Sequence, residues 1–214
     1  VIRDCGQVGV KAVILVNGVL EKDEKEILRI ARENNIRILG PETLGIIIGI
    51  VKEDDYNPSR FLSKAMNATH ASISAQMQGR VACIVQNKEM GQTLIDWSLK
   101  KHVGFSAFVG LGPKILDIGW GDLIEYFGRD ENTDVIVLYM NSFGGSVEEA
   151  KKFVNAARTV SLKKPILVVK SGRTEQVESV PTSTAGHDQV FDVIFEQSGV
   201  LRVNTLFEIG RASC

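Results

Sequence analysis

Cysteine is scarce in this sequence. Cys5, Cys83 and Cys214 are odd in number, far apart and form no CxxC, which argues against a zinc site and against a disulfide framework. Cys83 stands in an apolar run and reads as a small buried hydrophobe. Charge of one sign is missing too: 25 Lys and Arg against 26 Asp and Glu leave a net charge of −1, so no global field draws the chain to nucleic acid or to an anionic membrane. No apolar run has the length of a membrane span, and the start VIRDCGQVGVKAVILV has no signal-peptide pattern. With reduced cysteines, this fits the cytoplasm. An initiator Met is absent and the first residues read like the middle of a β/α unit, so the expectation is a piece of a longer protein.

Several signatures of chemistry are also absent. There is no GxxxxGK[ST] loop, no GxGxxG after a strand and no GxSxG elbow. No His, Cys and carboxylate set has metal spacing, so no metal is expected. His70 and His102 have no partners in sequence; His102, at a predicted helix end, reads as a favourable C-terminal charge or a surface residue.

What is present is a β/α alternation. Ala12–Val16 and Ile36–Leu39 read as strands around a helix over Asp23–Asn34, with Ile27, Ile30 and Ala31 on one face. Ile46–Val51 is a further apolar run, read as an extended edge, and 52–78 is a polar connection without steady period. From Gly79 the pattern is regular. Strands are expected at Arg80–Val85, Phe105–Val109, Val135–Tyr139, Ile166–Val169 and Val200–Val203. The helices between them are expected at Glu89–Lys101, Gly121–Phe127, Val147–Val160 and Gln189–Gln197. Ser146 and Glu149 have capping-box spacing, and Val147, Ala150, Val154 and Ala157 share one face of the third helix. Unbroken apolar strands suit a parallel sheet covered on both sides. The fold class is therefore α/β, a flavodoxin-like, doubly wound, five-stranded parallel sheet.

Such sheets bind ligands outside the carboxyl ends of their strands. Four loops lie there: Gln86-Asn87-Lys88, Gly110–Lys114, Asn141–Ser146 and the stretch after Lys170. In the second, Gly112 brings backbone amides close and Lys114 adds a point charge, a combination suited to a small anionic ligand.

The motifs, in order, resemble one family. RILGPETLGI (Arg37–Ile46) is similar to R-x-L-G-P-N-x-x-G. GRVACIVQNKEMGQTLIDW (Gly79–Trp97) is similar to a strand–S-Q-S-G–helix segment ending in D-W. GFSAFVGLGPK (Gly104–Lys114), KKPILVVKSGRT (Lys163–Thr174) and STAGHDQVFDVIFEQSGVLRVNTLFE (Ser183–Glu208) complete the series. The chain resembles the NDP-forming acyl-CoA synthetases, the superfamily of the succinyl-CoA synthetase alpha subunit. The resemblance implies that 1–51 is the C-terminal part of a Rossmann-like CoA-binding domain, with Gly40, Pro41 and Glu42 at its closing turn. It implies a connection over 52–78 and a succinyl-CoA-ligase-like domain over 79–214. It also implies CoA or acyl-CoA as ligand, with no cofactor held by the segment itself.

In that family a phosphoryl group passes through a histidine in S-H-T-G, oriented by a Glu after the preceding strand and held at the N-terminus of the S-Q-S-G helix. Here S-Q-S-G is replaced by Val85-Gln86-Asn87-Lys88, and Asn141 and Ser142 stand where carboxylates are expected. The loop after Lys170 is shorter and holds Thr182, Ser183 and Thr184 at the place of the phosphoryl carrier. His187 is out of register with the family's histidine and reads as a local cap or surface residue, with phosphoryl acceptor as the alternative. The short loop resembles the degenerate synthetase-like region of bacterial protein lysine acetyltransferases. The first expectation is therefore a silent acyl-CoA-binding pseudoenzyme module regulating an acetyltransferase, with a GNAT domain elsewhere in the protein. A divergent ADP-forming acyl-CoA ligase, with an ATP-grasp domain, is the alternative, and a purely structural role the third. Homo-oligomerisation is expected by analogy with the family.

Overall fold

The computed structural model describes residues 1–48, 66–69, 78–144, 146–171 and 184–203. Near the N-terminus, helix α1 (Ile2–Gln7) and helix α2 (Glu21–Glu33) accompany two parallel strands, β1 (Ala12–Ile14) and β2 (Arg37–Leu39). Ala31, Ile36 and Ile38 form their small buried core, with Ile27 packed against it.

The main sheet joins β3 (Gly45–Ile48), β4 (Met66–Thr69), β5 (Gln78–Val85), β6 (Phe105–Gly110), β7 (Val135–Met140), β8 (Ile166–Lys170) and β9 (Leu201–Arg202). Its order is β4-β3-β6-β5-β7-β8-β9. The strands from β6 to β9 are parallel to one another, in the flavodoxin order expected from the sequence. The difference lies at one side, where β3 and β4 add two antiparallel strands. Ile46–Ile48, read as an extended edge, instead pairs on both sides, with Val109–Ala107 of β6 and with β4. β4 was hidden because Met-Asn-Ala-Thr has little strand character of its own; pairing with β3 makes it a strand.

Helices α3 (Lys88–Lys101), α4 (Trp120–Arg129), α5 (Val147–Val160) and α6 (Thr184–Gln197) connect the parallel strands. Strand side chains alternate between two cores. Ala82 and Ile84 of β5 face Trp120, Ile124, Phe153 and Phe195, whereas Val81, Cys83 and Val85 face Leu94 and Ile95 of α3. This is why the strands are apolar without alternation. Burial pushes the Cys83 thiol well up, so it is inert as a nucleophile.

The shared face read for α5 is buried only in part: Ala157 is buried and Val154 packs against the core. Val147 is exposed, and the buried stripe is Glu149, Phe153, Ala156, Ala157 and Val160. The Ser146 half of the capping box forms, with Oγ accepting from the Glu149 N–H at 3.1 Å. The Glu149 carboxylate pairs with Lys152 Nζ at 2.8 Å instead of reaching back. No helix among the described residues is long and apolar enough to cross a membrane.

Candidate functional site

In this strand order the chain leaves β5 toward one face of the sheet, through α3, and leaves β7 toward the other, through α5. Neighbouring strands whose connections part in this way open a crevice at their carboxyl ends. Gln86 follows β5, and Asn141 and Ser142 follow β7, so the topology brings these three predicted residues to one place.

Gln86 organises the crevice. It is 1% exposed, and its Oε1 accepts from the backbone N–H groups of Asn141 at 2.8 Å and Ser142 at 2.9 Å. Its Nε2 donates to the Pro113 carbonyl and to Ser142 Oγ, each at 3.2 Å. One buried side chain thus links the loops after β5, β6 and β7. A buried carboxamide with its hydrogen-bonding positions satisfied holds one geometry. Trp120, fully buried, donates its indole N–H to the Ser142 carbonyl at 3.2 Å and fixes that loop from below. Ser171, at the end of β8, donates its hydroxyl to Asn141 Oδ1 at 2.5 Å. Burial pushes the Tyr139 phenol upward, against the opposing effect of a hydrogen bond with Ser171.

Asn87 is the N-cap of α3, its Oδ1 accepting from the Met90 N–H at 2.8 Å. Lys88 is exposed on the first helical turn. The first turns of α3 and α5, capped by Asn87 and Ser146, carry the positive ends of their helix dipoles.

The loop between β6 and α4 is tied to the N-terminal part of the chain. Lys114 Nζ pairs with Glu24 of α2 at 2.6 Å, and that hydrogen bond raises its pKa. Gly112 has φ +86°, and a β-carbon there would lie 2.1 Å from the Pro41 carbonyl oxygen. Pro41 and Glu42 therefore pack against the β6–α4 loop, whereas Gly40 lies against Leu15 and Thr43; Glu42 is exposed, with φ 54°. Asp117 in the same loop accepts through Oδ2 from Arg37 Nε at 2.8 Å and from the Ile38 N–H at 2.9 Å. Gly112 and Lys114, read from the sequence as anion ligands, thus fasten this loop to the N-terminal strands and to α2.

Thr182 and Ser183 lie outside the described residues, as does His70. Thr184 begins α6 and His187 lies in its first turn. His102 ends α3 in the left-handed conformation, φ 56°. Sequence reasoning missed Pro113, Trp120 and Ser171, whose contributions are a carbonyl, an indole N–H and a hydroxyl set by loop geometry rather than by any motif. Among the described residues no group of three His, Cys, Asp or Glu could hold a metal ion.

Residues 78–213 match the family described as the succinyl-CoA ligase like flavodoxin domain. The chain is 36% identical over 219 residues to the ADP-forming acetate–CoA ligase I subunit alpha of Pyrococcus furiosus, covering 97% of this chain and 43% of that protein. It is 30% identical over 221 residues to the ADP-forming 4-hydroxybutyrate–CoA ligase of Nitrosopumilus maritimus, covering 98% and 29%. Among solved structures, the dinucleotide forming acetyl-coenzyme A synthetase 1 of Ca. Korarchaeum cryptofilum, in complex with phosphate and ADP, superposes with a TM-score of 0.75 at 31% identity, over 96% of this chain and 42% of that one. The chain spans less than half the length of these relatives. It belongs to the succinyl-CoA ligase like flavodoxin domain family, within the superfamily of NDP-forming acyl-CoA synthetases.

Proposed function

We propose that this chain is the ligase-type module of an ADP-forming acyl-CoA ligase, and that the β5/β7 crevice receives the CoA thioester together with the phosphate that attacks it. The observation that carries this reading is the Gln86 network, which holds three loops in one arrangement at the topological switch point. The crevice residues are Gln86, Asn87, Lys88, Asn141 and Ser142. The first turns of α3 and α5 favour negative charge there. The Pyrococcus furiosus and Nitrosopumilus maritimus relatives named above are ADP-forming ligases, and this supports a ligase over a regulator of a protein lysine acetyltransferase. The thioester enters as substrate. Phosphate displaces CoA at the acyl carbon, giving an acyl phosphate and free thiol, and transfer of that phosphoryl group to ADP is the work of a further domain or subunit.

A second reading is favoured by one observation. The Asn141 and Ser142 amides are already taken by Gln86, and the β7 loop presents a carboxamide and a hydroxyl where the family's histidine would need a carboxylate. In this reading the crevice binds acyl-CoA and no phosphoryl group is relayed. One experiment separates the two: the full-length protein, with any partner subunit that copurifies, is given acetyl-CoA, ADP and inorganic phosphate while ATP and free thiol are measured. ATP formed in step with thiol supports the ligase. Binding of acetyl-CoA without either product supports the binding module. No binding and no product leaves only a structural role.

A further inference from the structure

We infer that Ser142 is a specificity-determining hydrogen-bond donor of the β5/β7 crevice, and that Gln86 is the residue that positions its proton. The inference deepens the proposed function by stating which kind of substrate atom meets Ser142: an acceptor oxygen, of phosphate or of the thioester carbonyl.

Gln86 fixes the arrangement. Its Oε1 accepts two backbone N–H groups, those of Asn141 and Ser142. Turning the carboxamide over would set its NH2 against both donors, so this orientation is imposed. Nε2 must then point at the Pro113 carbonyl and at Ser142 Oγ. Ser142 Oγ therefore accepts from Gln86. It accepts a second time, from the Gly144 N–H at 3.2 Å. A hydroxyl oxygen has two lone pairs and one hydrogen. Both lone pairs are engaged, so the hydrogen occupies the remaining direction, away from Gln86 and Gly144. Ser142 is half-buried, and its hydroxyl donates to no acceptor among the described residues.

The hydroxyl is thus a donor with its rotor already set. Binding an acceptor here costs little rotamer entropy and breaks no bond. A ligand offering only N–H or O–H at this point finds no acceptor. The Trp120 indole, which holds the Ser142 carbonyl, keeps the loop from turning to present a different atom.

The test is calorimetric titration of the full-length protein with inorganic phosphate, acetyl-CoA and CoA, using wild type, Ser142→Ala, Ser142→Thr and Gln86→Glu. Circular dichroism checks that each variant is folded. Loss of one neutral hydrogen bond should weaken the relevant ligand roughly fivefold to tenfold in Ser142→Ala, and Ser142→Thr should restore it. A loss confined to phosphate identifies the phosphate oxygen. A loss for acetyl-CoA but not CoA identifies the thioester carbonyl. In Gln86→Glu the carboxylate accepts the Ser142 proton and turns it inward, so a similar loss is expected, and the double variant Gln86→Glu/Ser142→Ala should lose little more. Unchanged affinity of Ser142→Ala for phosphate and for acetyl-CoA overturns the donor role, as does failure of wild type to bind either of these two. Additive losses, or wild-type affinity in Gln86→Glu, overturn the positioning role. ATP formation is read separately, so a ligase with an unimportant Ser142 remains a distinguishable result.

Discussion

The Glu149 carboxylate lies where a β-carbon on Gly119 would have to sit: an added methyl would come within 1.9 Å of Oε2. Glu149 is 7% exposed; among the described residues Oε2 has no hydrogen-bond partner, and Oε1 is paired with Lys152. The glycine thus lets the N-termini of α4 and α5 approach around a buried carboxylate. Gly119→Ala should destabilise the fold by about 1–3 kcal/mol through overpacking. Glu149→Ala in that background should recover part of the loss. Urea midpoints of both single variants and the double variant measure the coupling; strictly additive values would refute the contact.

Gly112 makes the corresponding contact with the N-terminal part. Its φ of +86° disfavours any side chain, and the Pro41 oxygen 2.1 Å from the built β-carbon is backbone, which cannot rotate aside. Gly112→Ala should cost about 1–3 kcal/mol. It should also raise amide exchange at Leu111, whose N–H donates to the Val85 carbonyl at 2.7 Å. A wild-type melting curve and unchanged exchange would contradict this.

Lys114 discriminates between reading a motif and reading a geometry. As an anion ligand its loss would weaken phosphate binding strongly. Paired with Glu24, with side chains 45% and 14% exposed, its loss should cost little stability, because solvent screens the pair. Phosphate affinity of Lys114→Ala should stay within twofold of wild type, about the effect of removing one distant screened charge. Calorimetric titration beside a thermal melt decides between these.

Asp134 and Arg80 join the starts of β7 and β5 by two side-chain hydrogen bonds, one of them at 2.7 Å. The Arg80 hydrogen bond holds the Asp134 carboxyl below its ordinary range. The stability this supplies is present above the unfolded carboxylate value of about 3.9 and is lost as pH falls through the lower folded value. Both side chains are more than half exposed, so solvent screening keeps the contribution small. The stability gap between wild type and Asp134→Asn, by urea titration, should therefore shrink from pH 7 to the acid side of that range; a gap that widens there would contradict the assignment.

Much of the parallel sheet is legible in the sequence, because strands such as Val135–Met140 are apolar on both faces and are separated by amphipathic helices. β4 is not, since its strand character comes from pairing with Ile46–Ile48 rather than from Met66–Thr69 themselves. The buried face of α5 is misread when apolarity alone is followed: Glu149 takes a core position while Val147 faces solvent. For the site, the strand-end rule brings Gln86, Asn141 and Ser142 to one place, because topology requires those loops to meet. It also draws in Gly112 and Lys114, whose partners Pro41 and Glu24 lie far away in sequence and could not be inferred from spacing.

The most direct measurement of the central claim is the ATP assay on the full-length protein with any copurifying subunit, supplied with acetyl-CoA, ADP and phosphate. ATP and free CoA thiol are expected in equal amounts, with both dependent on phosphate. Saturable binding of acetyl-CoA with no ATP and no thiol release would contradict it and leave the crevice as a binding site alone.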